Sequence, residues 1–200
     1  MTAVGSSRLG RLAQRERERE PPPLERCELC SAPIAADHRH LMDLQSREVM
    51  CACQACTVLF DRGAAGGGHY RLVPTRRARL DDEVLTDAMW EELRLPVDIA
   101  FFLRSSAEDR QMAFYPGPMG ATECLLTVEL GILETLEPDV EALLVNRAQG
   151  AREQWIVPID DCFRLVGLIR THWRGLTGGK EVWQALPRFF EELDGEERRS

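Results

Sequence analysis

Nowhere in its 200 residues does the chain approach the roughly 18 uninterrupted apolar residues that a membrane-spanning helix needs. Met1 to Glu20 holds no apolar run between its arginines, so it does not read as a secretory signal, and the expected compartment is the cytoplasm, with no membrane partner. No internal repeat is found. A basic excess is missing too: 25 Lys and Arg stand against 33 Asp and Glu, a formal net charge of −8. Non-specific binding to duplex DNA needs a cationic face, so this balance argues against a nucleic-acid partner. Only the cluster Arg71, Arg76, Arg77 and Arg79 speaks for one.

Complete catalytic motifs are also lacking. Gly175-Leu-Thr-Gly-Gly-Lys180 fails as a phosphate loop, because Arg174 stands where the first glycine belongs and Glu181 follows the lysine; it reads as a helix-to-helix turn. Cys124 and Cys162 are isolated from any recognisable nucleophile motif and read as core thiols. His69 and His172 make an acid–base pair only if the fold joins them, and helix capping explains Asp160 and Asp161. Trp155, Trp173 and Trp183 read as core or interface anchors. No catalytic residue is assigned, and the reading leans away from an enzyme.

What the sequence does have is clustered cysteine. Cys27-Glu-Leu-Cys30 and Cys53-Gln-Ala-Cys56 are two C-x2-C pairs with 22 residues between them. In a reducing compartment such pairs bind metal more often than they form disulfides. Each pair suits a tight turn whose backbone amides point at the thiolates, and the two turns complete a tetrahedron of sulfurs around zinc. The gap is slightly longer than the usual span of roughly 15 to 20 residues. It contains His38 and His40, which leaves a mixed cysteine–histidine set open as an alternate. Cys51 is a further alternate ligand, a redox partner or an iron–sulfur ligand in the functional reading, and an extra cysteine in a strand entering the knuckle in the plainer one, which we prefer. The expected cofactor is structural zinc, with iron or an iron–sulfur cluster as the alternative of similar spacing.

These features divide the chain into a disordered tail at 1–23, a zinc-ribbon-like four-cysteine knuckle at 24–62, a glycine-rich linker at 63–69 and an α+β domain at 70–195. In the last, short strands are expected at Ile99–Arg104, Gln111–Tyr115, Ala142–Asn146 and Gln154–Val157. Helices are expected from Asp81 to Leu93, over Leu125–Leu136, from Asp160 or Asp161 to Trp173, and from Val182 to Leu193 with a kink or break at Pro187. The fold class is therefore α+β, a mixed sheet covered by helices.

Certain runs resemble a known family. They are Cys27-x-Leu-Cys30, His38-Arg-His-Leu, Cys51-Ala-Cys-x-Ala-Cys56, Tyr70-Arg-Leu-Val-Pro74, Ala113-Phe-Tyr-Pro116, Glu141 to Arg147, and Val157 to Gly175. Together they look like an uncharacterised bacterial family encoded beside [NiFe]-hydrogenases of the actinobacterial, high-affinity type. The resemblance implies a hydrogenase accessory protein whose partners are hydrogenase subunits or maturation factors. It brings no known activity. On this reading the protein is a metal-binding adaptor, with His38 to Asp43 as an exposed docking loop. The alternatives are a redox or metal-transfer protein using the cysteine cluster and a nucleic-acid-binding ribbon.

Overall fold

The computed structural model describes residues 25–60, 68–81, 83–175 and 178–198. The tail read at 1–23 and most of the linker read at 63–69 lie outside the described residues. Those described form an α+β protein with two antiparallel sheets.

The smaller sheet has β1 (Arg39–Asp43) at its centre, flanked by β2 (Glu48–Ala52) and β3 (Tyr70–Leu72), and α1 (Gln54–Phe60) follows β2 directly. The β1–β2 turn is closed by the Asp43 carboxylate, which accepts from the Gln45 and Ser46 amides at 2.8 and 3.3 Å. Period-two alternation gives the sheet two apolar faces. Leu41 and Ala52 bury in a small core with Cys27, Ile34 and Cys56, while Met42 joins the main core of the molecule. Of the docking loop expected over His38 to Asp43, Arg39–Asp43 is therefore a central strand, with Leu41 and Met42 buried. Tyr70–Leu72, beyond the glycine segment, also belongs to this sheet.

The larger sheet contains β4 (Ala78–Arg79), β5 (Ile99–Ser105), β6 (Arg110–Gly117), β7 (Gly120–Cys124), β8 (Glu141–Asn146) and β9 (Glu153–Pro158), in the order β4-β9-β8-β5-β6-β7. Each of the four expected strands lies inside an observed one. Both faces of the sheet are covered. Phe101, Leu144 and Trp155 face a core closed by α3 (Ile159–His172) and α4 (Gly179–Glu197), while Phe102, Leu143 and Ile156 face Leu85, Leu130 and Leu133 on the other side. That is why the central strands β5 and β8 read as continuous apolar runs instead of alternating.

Three expectations are corrected. The helix expected from Asp81 is α2 (Asp87–Leu93), whose cap is Thr86, its side chain accepting from the Met89 amide. The residues before it cannot join because Gln154 takes hold of the Leu85 peptide. Its Oε1 accepts from the Leu85 amide at 2.9 Å and its Nε2 donates to the Leu85 carbonyl at 3.1 Å. Gln111 does the same to the Leu130 peptide, at 2.9 and 3.2 Å, so the expected helix over Leu125–Leu136 shrinks to a 3-10 turn at Gly131–Thr135. Lastly, Pro187 sits inside a continuous α4 without breaking it, although an interior proline costs about 3 kcal/mol. The amphipathic face Val182, Leu186, Phe189 and Leu193, buried in the main core, outweighs that cost.

Both glutamines stand in for a strand partner with a single side chain. Replacing the buried Gln154 by Leu leaves the amide and carbonyl of Leu85 unpaired, so it is expected to destabilise the protein by about 2 kcal/mol, seen as a lower urea midpoint at unchanged slope. A shift below about 0.5 kcal/mol would show that water takes over both bonds.

Candidate metal centre

The first cysteine pair lies on a turn closed at both ends. The Ser31 amide donates to the Cys27 carbonyl at 2.7 Å and the Cys27 amide to the Ala32 carbonyl at 2.8 Å, while Arg26 and Pro33 bridge below. The second pair joins the end of β2 to the first turn of α1, where the Thr57 amide donates to the Cys53 carbonyl at 3.0 Å. Cys51 ties the two turns together through its backbone. Its carbonyl accepts from the Glu28 amide at 2.9 Å, and its amide donates to the Glu28 carboxylate at 2.5 Å.

The four sulfurs of Cys27, Cys30, Cys53 and Cys56 consequently lie within 4.8 Å of one another, with Cys30 and Cys53 at 3.6 Å. The edge of a thiolate tetrahedron around zinc, with bonds of about 2.3 Å, is about 3.8 Å, so the cluster needs little adjustment to hold one ion. Cys27 and Cys56 are buried and Cys30 is exposed, which leaves one side of the cluster open to solvent.

The amides are aimed as the turns require. Burial pushes the Cys27 thiol up, but the amides of Cys53, Cys30 and Leu29 outweigh it and bring it down to about 6. The Cys56 amide likewise lowers Cys53. The Ala32 amide pulls on Cys30, yet the neighbouring thiols of Cys53 and Cys27 raise it. Burial, followed by the three other cysteines, pushes Cys56 up. Four sulfurs this close repel as anions, and a divalent cation among them removes that repulsion. The donor set thus fits a thiophilic ion, and these four residues could hold one.

The other sequence candidates are placed as follows. His38, His40 and Cys51 come together as a separate group, their ligating atoms within 4.8 Å of one another. His69 Nδ1 is 2.9 Å from Gln45 Nε2, and His172 Nδ1 is 2.9 Å from the Leu168 carbonyl, so each has its own partner. Cys162 is fully buried in the main core, which pushes its thiol far up, and Cys124 is half-buried on β7. Trp155 is buried, Trp173 packs on the same core, and Trp183 is partly exposed.

The four arginines are all taken up by acids. Arg71 pairs with Asp139 at 3.1 Å, Arg76 with Glu141 at 3.1 Å, Arg77 with Asp161 at 2.6 Å and Arg79 with Glu153 at 3.5 Å. Sequence reasoning missed Asp160 and Asp161. The cap position of α3 is Pro158, with no side-chain capping bond; Asp160 instead reaches His40 at 2.9 Å and Asp161 reaches Arg77. No local signal could have shown this, since the partners are 120 and 84 residues away.

Among known proteins, the family of unknown function DUF5947 matches residues 26–197. The chain belongs to that family. The match begins just before Cys27 and runs through α4, so it takes in both sheets and all four cluster cysteines. No curated protein and no solved structure matches the chain. Among the described residues no helix is long and apolar enough to cross a membrane.

Proposed function

We propose that this DUF5947 protein is a non-catalytic accessory protein of the cytoplasm in which Cys27, Cys30, Cys53 and Cys56 hold one structural zinc ion, and that it serves [NiFe]-hydrogenase assembly or function by binding a hydrogenase subunit or maturation factor. The observation that carries the metal reading is the convergence of four thiols from two turns within 4.8 Å. Four protein thiolates fill a tetrahedral ion and leave no position for a reacting water, which supports a structural role over a hydrolytic one. The compactness of the cluster favours a single ion, since cysteines around a four-iron cube must stand further apart to reach its corners. The hydrogenase setting is supported by the resemblance of the sequence runs given above. An adaptor role is supported by Val58 and Leu59, which stand exposed on α1 directly after the second cysteine turn. The nucleic-acid reading loses support because the arginines that prompted it are paired with carboxylates.

Protein purified without oxygen and without added metal is expected to contain zinc, to be colourless, and to lose its cluster zinc in a Cys30→Ser/Cys53→Ser variant. Iron in that position, with thiolate-to-iron absorption that disappears in the same variant, would replace this reading with a redox or delivery protein. Deleting the gene in a host that carries a high-affinity [NiFe]-hydrogenase is expected to abolish hydrogen uptake and leave the hydrogenase unassembled. Unchanged uptake would remove the hydrogenase setting.

A further inference from the structure

The second group of ligating side chains is built by strand geometry. His40 lies in β1 and His38 is the residue just before that strand, two positions back, so extended backbone brings their side chains to one side, and Cys51 stands directly opposite His40 in the β1–β2 ladder. The two rings have centroids 4.8 Å apart at an interplanar angle of 70°. This group shares no member with the four-thiol cluster.

Each imidazole is already committed at one nitrogen. His38 Nδ1 donates to the Ala35 carbonyl at 2.9 Å, with Glu25 Oε2 at 3.4 Å. His40 Nδ1 faces Asp160 Oδ2 at 2.9 Å. A carbonyl oxygen and a carboxylate accept, so each Nδ1 carries a proton, and in the neutral imidazole that a metal ion binds each Nε2 presents its lone pair. His38 Nε2 is buried and has no hydrogen-bond partner among the described residues, in a side chain only 9% exposed. Buried polar nitrogens are rarely left in that state. An imidazole held by its Nδ1–H on a carbonyl or carboxylate, with Nε2 bare, is the arrangement found behind metal-bound histidines. The surroundings suit a cation, since Glu25, Glu28 and Asp160 lie around the group.

We propose that His38 Nε2, His40 Nε2 and Cys51 Sγ form a second metal site, separate from the four-thiolate centre, which takes one divalent transition-metal ion of the zinc, cobalt and nickel class. Two imidazoles and one thiolate select borderline ions over calcium or magnesium. Three protein ligands leave the fourth position for an exogenous ligand, unlike the closed cluster. Asp160, in the first turn of α3, is the outer partner of His40, so it links an ion here to the helix of the larger layer. The inference does not rest on the accessory role proposed above.

Cobalt(II) added to the metal-free, full-length protein under argon tests it, with thiolate-to-cobalt and d–d absorption distinguishing a four-sulfur site from one of two nitrogens and a sulfur. Wild type is expected to take two equivalents. A His38→Ala/His40→Ala variant is expected to take one and keep the four-sulfur spectrum, which also reports that the knuckle is folded. Asp160→Asn keeps the shape of the site but weakens its grip on His40, and is expected to lower cobalt affinity there about 10-fold without moving the first equivalent. Saturation of wild type at one equivalent that the double histidine variant keeps, with a four-sulfur spectrum, would overturn the second site and leave the first standing. Two equivalents retained by the double histidine variant would overturn it as well. A single equivalent lost in the histidine variant and kept by Cys30→Ser/Cys53→Ser would instead uphold this site and remove the four-thiolate centre.

Discussion

Replacing Cys56 by Ala is expected to release the clustered metal and unfold residues 25–60 while the six-stranded sheet stays intact. The small core around the cysteines has five buried hydrophobic residues, and two of them are the ligands Cys27 and Cys56 themselves. Ile34, Leu41 and Ala52 cannot by burial alone offset the entropy of ordering the surrounding chain. A structural zinc ion contributes on the order of 10 kcal/mol to units of this kind, so the loss of one ligand removes most of what holds the two turns. The larger sheet is held mainly by residues of its own strands and helices on both faces, with Met42 the one buried member of the main core from residues 25–60, and it needs no cysteine ligand. Hydrogen exchange would read the difference: amides of β1 and of the two cysteine turns lose protection, and those of β5 and β8 keep it. Equal protection in the variant and the wild type, with metal lost from the variant, would show that packing holds the knuckle without the ion. Because the thiols must be deprotonated to bind, acidification is expected to release the metal and reproduce the same pattern in the wild type.

The knuckle and most of the strands were legible in the sequence because their signals are local. A C-x2-C pair needs only a tight turn, and runs such as Ile99 to Leu103 or Ala142 to Val145 are apolar at every position, as buried strands are. Several of the failures share one physical cause, a long-range side-chain partner that overrides a local preference. Leu126, Leu130 and Leu133 have helical spacing, yet one amide side chain, Gln111, holds Leu130 extended. Asp160 and Asp161 lie where a helix cap is expected from sequence, but a half-buried histidine and a half-buried arginine claim them. The histidines were read as alternates to the four-cysteine set for a related reason. Proximity in the chain placed them beside the C-x2-C pairs, whereas the β1–β2 register puts His40 opposite Cys51, which is not part of the four-thiol cluster.

Replacing Arg77 by Met is expected to destabilise the protein by about 3 to 5 kcal/mol at neutral pH, the usual cost of removing one partner of a buried ion pair. Arg77 grips Asp161 with two bonds, Nε to Oδ2 at 2.6 Å and Nη2 to Oδ1 at 3.2 Å, and the Asp161 side chain is 3% exposed. Arg164, at 3.3 Å and itself half-exposed, is a weaker substitute. Burial already holds the Asp161 carboxyl above its ordinary range, although Arg77 pulls it back. Without Arg77 it rises further, while in the unfolded chain it returns to about 3.9. A carboxyl raised in the folded state binds its proton more tightly there, so the folded state gains stability as pH falls through that raised value. The deficit of the variant is therefore expected to be largest at pH 7 and to shrink toward pH 5, as measured by urea unfolding. Arg77→Met/Asp161→Leu, which removes the orphaned charge together with its partner, is expected to recover most of the loss at both pH values. A deficit independent of pH, or a double variant as unstable as the single one, would show that Arg77 acts by filling space beside α3 and not by compensating the buried carboxylate.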